Sequence, residues 1–513
     1  MTLRLDLAIP PAAAPRLWRH PALAARKRPR GAAEAWDWLD SAEGSLAKAG
    51  LALRANARGE RRLCPLRPPE GFALPGAALP EGSVLPADSV PQEAGEAALV
   101  PLAHFTGRVA QSPPDATGVA LRWHSGTLRA ADRECAVALL RLEGPEAAVL
   151  ALAAALPGLP ATAGLDELAL ALARDAPPRP RRKGAPDLGA AATPDDALAL
   201  AIAHLATVLL VQAPLAREGA GPEGVHQLRV AARRLRSCLR TFRPMRDGQA
   251  LRELDSGLRD LARALGEARE WDVFLGGLGA ELAARLGPDQ RWEQLLRAAA
   301  RRRLEAYGRL RGVLEGEAFH ALAWRAARLA ALREWQAPDA AAAEAPLHAQ
   351  AAALLARRRR KLLRRGRAIE TLDDDALHEL RLDAKRLRYV AELFAPLWPG
   401  KPARRFLRRL SALQEALGLS NDAVTARALV ASLGGGARHD PAPPGTAASS
   451  PEATGPKATR PKETGPVAPE PVAPEWAIGL AEGWSLFAGR DTRPTVLRAW
   501  RRFLRAGPFW ADA

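Results

Sequence analysis

VHQLRVAARRLRSCLRTF at 225–242 and LHELRLDAKRLRYVAELF at 377–394 decide how this chain folds. The two stretches align without a gap, His226 against His378, at a constant offset of 152 residues. The same offset continues downstream and pairs Leu258 with Leu410, Leu261 with Leu413, Leu265 with Leu417 and Gly266 with Gly418. Biased composition alone does not keep a register over that distance, so the chain is read as two related helical halves. Packed face to face, they bury in common an apolar face that neither half buries alone.

Placed on a helix at 100° per residue, the first repeat sorts into two stripes. His226, Arg229, Arg233, Arg236 and Arg240 follow i, i+3, i+7, i+10, i+14, while Leu228, Ala232, Leu235, Leu239 and Phe242 fill an adjacent strip. In the second repeat the polar row is His378, Arg381, Lys385 and Arg388, beside Leu380, Ala384, Leu387 and Phe394. One side anchors each helix and the other presents a row of cations. The first repeat has five arginines and no acid between Val225 and Phe242. Like charges on successive turns repel by a few tenths of a kcal/mol per pair unless an anion neutralises them. A row rising about 5.4 Å per turn suits an extended polymer of charge better than a single phosphate, and guanidinium groups grip phosphate oxygens two at a time. The plainer reading of the arginines is a solvated helix face, which the repetition at identical offsets disfavours. Each histidine is open between donating to an anion, holding the arginines in place, and a core or capping role at the helix start.

Outward from the repeats, long Ala, Leu and Arg periods run from about 193 to about 432, and Thr193, Pro194 and Asp195 supply an N-cap, first residue and acidic first turn. The stretch 434–474 is Gly, Pro, Ala, Thr and Glu with few large apolar residues and is predicted to be a disordered insertion. The aromatic, amphipathic segment that follows is expected to return to the helical domain. Upstream, APPRPRRKGAP at 176–186 marks a linker, drawn at 166–192. Residues 1–165 hold short alternating runs, LRLDLAI, GLALRANA, GVALRWHSG and ECAVALLRLEG, with helices expected near 11–24 and 145–156 and a Pro/Gly excursion between 65 and 97.

At 513 residues the chain has room for two or three units. Its net charge of +17 favours acidic polymers or acidic membrane surfaces as partners, although arginine also replaces lysine almost throughout. The apolar runs near 150–156 and 197–211 are short for a membrane span or broken by His204 and Gln212, so no span is expected. The first residues lack the long apolar core and cleavage site of a secretory signal. Cys64, Cys135 and Cys238 are far apart and odd in number, which fits a reducing compartment without disulfides or metal-ligand spacing.

Both repeats closely resemble the conserved-histidine α-helical domain, CHAD, whose repeats read approximately HxLRVxxRRLR and HxLRIxxKRLRY. LGEAREWDVFL at 265–275, LGLSNDAV at 417–424, GWSLFAGR and the closing PFW are similar to further segments of that family. The resemblance spans roughly 190–432 and 476–513. It implies inorganic polyphosphate binding on a basic surface shared by two four-helix halves, with recruitment to polyphosphate granules in the bacterial cytoplasm. Carried over by position, the ligands are His226, Arg229, Arg233, Arg236, His378, Arg381, Lys385 and Arg388, and Arg240 continues the same row.

An N-terminal CYTH domain, the β-tunnel of the triphosphate tunnel metalloenzymes, often precedes CHAD. LRLDLAIPPAAAPRLWRHPAL and WDWLDSAEGSLAKAGLALRANARGE resemble its opening, the latter ending in an LRxR-like strand. Yet the family's metal-binding ExExK would fall on Thr2, Arg4 and Asp6, and in ECAVALLRLEG only Glu134 and Glu143 remain acidic. A hard divalent cation needs several oxygen ligands, and phosphoryl transfer needs that cation. Arg54, Arg67 and Arg108 could line a tunnel, with ordinary surface positions the favoured reading. The resulting expectation is a mainly α protein: a CYTH-like α+β domain over 1–165 without catalysis or metal, then a two-half helical bundle over 193–513. No cofactor is implied. An active, metal-dependent inorganic triphosphatase and a nonspecific nucleic-acid-binding protein are the alternatives; the repeats show no helix-turn-helix, zinc-finger or RNA-stacking signature, which leaves nucleic acid only weak binding through charge.

Overall fold

The computed structural model describes residues 2–67, 74–86, 89–94, 98–176, 178, 184–219, 221–337, 346–418, 429–430, 432–433, 475–488 and 493–511. The insertion expected at 434–474 and most of LGLSNDAV lie outside these residues.

The N-terminal region is one antiparallel sheet. Its strands are β1 (Thr2–Ala8), β2 (Gly31–Ser41), β3 (Leu51–Ala55), β4 (Arg61–Pro65), β5 (Ser83–Leu85), β6 (Leu99–Ser112), β7 (Ala120–Ala130), β8 (Arg133–Pro145) and β9 (Leu159–Pro160). They lie in the order β5-β4-β3-β2-β6-β7-β8-β1-β9. Alternation places Trp36, Trp38, Phe105, Leu128, Val137 and Leu139 in one buried cluster. Where β6 meets β7, a Cβ on Gly126 would fall 2.3 Å from the Thr106 carbonyl oxygen and 2.8 Å from the Phe105 ring. The bare backbone there is what lets that ring lie across the sheet.

Three helices join the sheet, α1 (Ser45–Lys48), α2 (Glu146–Ala155) and α3 (Leu165–Ala173). Helix α3 buries Leu165, Ala169 and Leu170 in the strand cluster, and its Asp166 accepts a 3.0 Å bond from the Trp38 indole. The β-rich region therefore runs past residue 165, and the linker drawn from 166 begins about eight residues later. Helix α3, LDELALALA, is Leu- and Ala-rich but only nine residues long and lies just before the Pro- and Arg-rich connection, which hides its apolar i, i+4 spacing. The helix expected near 11–24 is instead two short 3-10 turns, Ala14–Arg19 and Pro21–Leu23, since Pro15 and Pro21 each restart the backbone.

The C-terminal region is helical: α4 (Pro194–Glu218), α5 (Pro222–Phe242), α6 (Gln249–Phe274), α7 (Ala280–Leu286), α8 (Gln290–Glu315), α9 (Glu317–Leu332), α10 (Leu347–Arg365), α11 (Asp374–Phe394), α12 (Lys401–Ala416), α13 (Glu475–Ala488) and α14 (Arg493–Leu504). Thr193 caps α4 in a reciprocal box with Asp196. Contrary to the reading of 197–211 as too short or broken, α4 is long and apolar enough to cross a membrane, but its most apolar window is 67% buried inside the fold. It is apolar nearly all round because neighbouring helices surround it.

By compactness the chain forms two units. The first comprises Met1–Arg269, Tyr307–Leu417 and Val496–Ala513; the second comprises Glu270–Ala306 and Gly418–Thr495. Within the first, the sheet region and α9 are joined by Trp324, whose indole donates to the Gly158 carbonyl at 2.9 Å. In the second, Trp292 is buried and donates to the Gly279 carbonyl at 3.2 Å, and Arg303 pairs with the buried Asp272 at 2.7 Å.

Candidate functional site

Helix α5 starts with Pro222, whose missing N–H falls where no intrahelical bond is due. Two residues on, Gly224 lets α5 lie against α4: a Cβ there would be 2.6 Å from the Leu215 carbonyl carbon. Helix α11 is started by Asp373, whose carboxylate accepts from the Ala376 N–H at 2.8 Å. Leu228, Ala232 and Leu235 of α5 and Leu380, Ala384 and Leu387 of α11 are all 0% exposed, as the apolar stripes require. The two helices then touch at equivalent positions of the repeat. Phe242 and Phe394 meet edge to face, with ring centroids 5.7 Å apart.

With the apolar stripes fixed, the basic stripes converge on one cleft of about 410 Å³. Arg229, Arg233, Arg236 and Arg240 enter it from α5, Lys385, Arg386 and Tyr389 from α11, and Arg358 from α10. Seven cations and no carboxylate line the cleft. Sequence reasoning passed over Arg358 and Arg386. The run ARRRRKLLRR at 356–365 was the available signal for Arg358, but consecutive arginines do not show which one points at another helix.

The named cations are not equivalent. Arg236 is bonded to Asp255 of α6 at 2.9 Å, and Arg240, more exposed, reaches the same carboxylate at 3.7 Å. Arg388 bonds Glu392 at 2.7 Å and the Ser411 hydroxyl at 3.2 Å. Arg386 leans on Asp383, a buried carboxylate that Lys361 and Arg365 also approach at 3.0 Å. By contrast, the Nε atoms of Arg233 and Arg358 are buried with no hydrogen-bond partner among the described residues. Arg233 stacks its guanidinium 5.7 Å from the Tyr389 ring centre. His226 is half-buried outside the cleft lining, and burial, followed by the Arg269 guanidinium, holds its pKa below the ordinary value. His378 is exposed near the start of α11.

Lys385 reports the field these groups make. Burial first, then the charges of Arg233, Arg381, Arg229 and Arg388, lower its pKa to about 8. Burial and the neighbouring Arg357 and Arg386 likewise lower that of Arg358. Cations crowded closely enough to lower one another's pKa are what an incoming polyanion relieves.

The sheet has a cavity of its own, of about 70 Å³, walled by β1, β3, β4, β7, β8 and the start of α3. Arg54 and Arg67 line it, and Arg67 is 4% exposed, so the surface reading holds only for Arg108, which donates outward to the Gly31 carbonyl. Here every described cation has a carboxylate. Arg141 grips Asp6 at 2.7 and 3.0 Å, Arg122 meets Glu81 at 2.6 Å, and Arg54 and Arg67 lie 3.7 Å from Asp166 and Glu167.

The residues at the ExExK positions do not fit a divalent cation. Thr2 offers no carboxylate, Arg4 points outward to Glu143 at 2.8 Å, and Asp6 spends both oxygens on Arg141. Glu134 is exposed beside Arg129. Among the described residues no three His, Cys, Asp or Glu side chains cluster closely enough to hold a metal ion.

Residues 199–431 match the family model described as the CHAD domain. Among solved structures, the chain is similar to the CHAD domain of the plant Ricinus communis at 24% identity and a TM-score of 0.41, over 62% of this chain and 93% of that one. PptA from Streptomyces chartreusis matches at 20% identity and a TM-score of 0.42, over 60% of this chain and 99% of that one. A Hippeastrum protein described as an adenylyl cyclase with a dominant triphosphatase activity matches at 16% identity and a TM-score of 0.21, over 29% of this chain and 81% of that one. No curated protein matches the chain.

Proposed function

We propose that this chain, which carries a CHAD domain over residues 199–431, binds inorganic polyphosphate in the cleft between α5, α10 and α11. The observation that carries the reading is a cleft lined by seven cations and no carboxylate, three of them paired with Asp255 or Asp383 behind the lining, set against a sheet cavity whose lining itself holds a carboxylate for each arginine. Arg229, Arg233, Lys385 and Arg358 are the central ligands in this reading. Arg236, Arg240 and Arg388 join by exchanging or sharing their carboxylate partners, and His226, His378 and Arg381 flank the track. In this reading the protein is a binder rather than an enzyme, supported by the lack, among the described residues, of a ligand set for the cation that triphosphate hydrolysis needs. Its place is the bacterial cytoplasm, at polyphosphate granules, with nucleic acid bound only weakly through charge.

A competition between long-chain polyphosphate and duplex DNA, at matched phosphate concentration and physiological salt, tests the reading. A flexible polyanion can follow a cleft lined on both sides, whereas a stiff duplex meets only its rim, so polyphosphate should win. Equal affinity would leave only a basic protein that binds polyanions without selection. Phosphate release from tripolyphosphate with magnesium or manganese would instead support the triphosphatase reading.

A further inference from the structure

Arginine outnumbers lysine heavily in this chain: of its 74 basic residues only eight are lysines, at 27, 48, 183, 361, 385, 401, 457 and 462. One of the eight lies in the cleft, at the position where the other repeat has Arg233. Lys361, one helix away, is held by the buried Asp383 at 3.0 Å. No carboxylate lines the cleft beside Lys385, while two buried guanidinium Nε atoms there, those of Arg233 and Arg358, have no hydrogen-bond partner among the described residues. The result is a primary amine beside donors suited to a phosphate, in a space of about 410 Å³ that also admits a small acyl chain.

We propose that Lys385 is an acylation site whose acyl donor is a small acyl phosphate, the neighbouring arginines seating the donor's phosphate. It deepens the reading above, since it uses the same cleft. The Nζ lone pair attacks the acyl carbon, the N–C bond forms, and the bond from that carbon to the bridging phosphate oxygen breaks. The phosphate leaves with the bonding pair, and the amine's surplus proton passes to it or to water, so that amide and hydrogen phosphate are the products. Guanidinium groups aimed at the departing phosphate stabilise the charge that develops there. The amine's lowered pKa supports the chemistry. At pH 7 a group titrating at about 8 is roughly 9% free base, against about 0.03% for an ordinary lysine. The weaker nucleophilicity of a less basic amine leaves an advantage of about tenfold or more. Acylation deletes one of the seven cations, so it lowers affinity for the polyanion and acts as a brake on binding.

The test treats the full chain with acetyl phosphate at pH 7 and follows each lysine by peptide mass spectrometry. Lys385 should acylate at least about tenfold faster than the exposed Lys27, Lys48 and Lys401. Excess long-chain polyphosphate should protect Lys385 alone, and Arg233→Gln should slow Lys385 without changing the other three. With acetic anhydride, which brings no phosphate, the preference for Lys385 should shrink. Polyphosphate binding is measured on the same preparation. Lys385 reacting at the rate of the surface lysines while the polymer binds overturns the acylation site and leaves the binding reading standing. Fast, Arg233-dependent acylation without polymer binding or protection does the reverse.

Discussion

If the cleft takes up a polyanion, binding must also take up a proton at alkaline pH, and Lys385 sets the size of that effect. In the free protein its pKa is lowered to about 8, by burial and by Arg233, Arg381, Arg229 and Arg388. A bound polymer neutralises that guanidinium field and sets its own negative charge beside the amine, which offsets the burial, so the pKa of Lys385 rises toward its ordinary 10.5, and a full return sets the upper bound of the effect. The bound state then holds the proton more tightly than the free state, which makes affinity fall as pH rises between those two values. From pH 7 to pH 9 the free protein loses most of that proton while the complex keeps it, which works out to about a tenfold weaker association. Proton uptake on binding should rise from about 0.1 at pH 7 to about 0.9 at pH 9. Titration calorimetry in two buffers of different ionisation enthalpy measures both quantities. Tyr389 shares the cleft, but burial raises its pKa, so it stays neutral over this range. In the free protein His226, held below its ordinary pKa by burial and the Arg269 guanidinium, is largely neutral over this range. Lys385→Arg keeps the charge at every pH and should remove the dependence while preserving affinity at pH 7. A wild-type affinity level from pH 7 to 9, or an equal slope in Lys385→Arg, would refute the argument that Lys385 sits in the binding field.

Other substitutions separate the two stripes and the two cavities. Replacing Arg229, Arg233, Arg381 and Lys385 with Gln should weaken polyphosphate binding strongly and make the log–log salt slope shallower by about 3 to 4, with thermal stability level or raised. Leu235→Ala and Leu387→Ala, both at fully buried sites, should each cost about 2–5 kcal/mol in denaturant unfolding and leave the salt slope of the folded protein unchanged. In the sheet domain, Asp6→Ala strands Arg141 and should lower stability by about 3–5 kcal/mol, whereas polyphosphate affinity should not move. An equal loss of affinity would place the sheet cavity in the binding surface.

Much of the helical domain could be read before any coordinates, because local periodicity carries it. Leu228, Leu235, Phe242, Leu380, Leu387 and Phe394 are buried where 100° steps put them. Phe242 and Phe394, equivalent at the 152-residue offset, are in contact, in keeping with two related halves packed face to face. Helix α3 was harder to find, as its Ala-rich face is short and its partners lie in strands far along the chain.

The chain's sequence by itself determined two amphipathic helices with aligned basic rows, and the absence of the ExExK carboxylates from the first strand. Both are properties of residue type and spacing along one element, and need no knowledge of distant partners. Tertiary structure decided which cations are already neutralised. Asp255 takes Arg236 and Arg240, Glu392 takes Arg388, and Asp6 takes Arg141 across 135 positions. It also brought Arg358 into the cleft and turned Arg54 and Arg67 inward. Coulomb energy depends on separation in space and on local dielectric, and neither varies in a regular way with separation along the chain. A row of arginines can therefore be read from a sequence, whereas its unbalanced charge exists only once the fold has chosen the counterions.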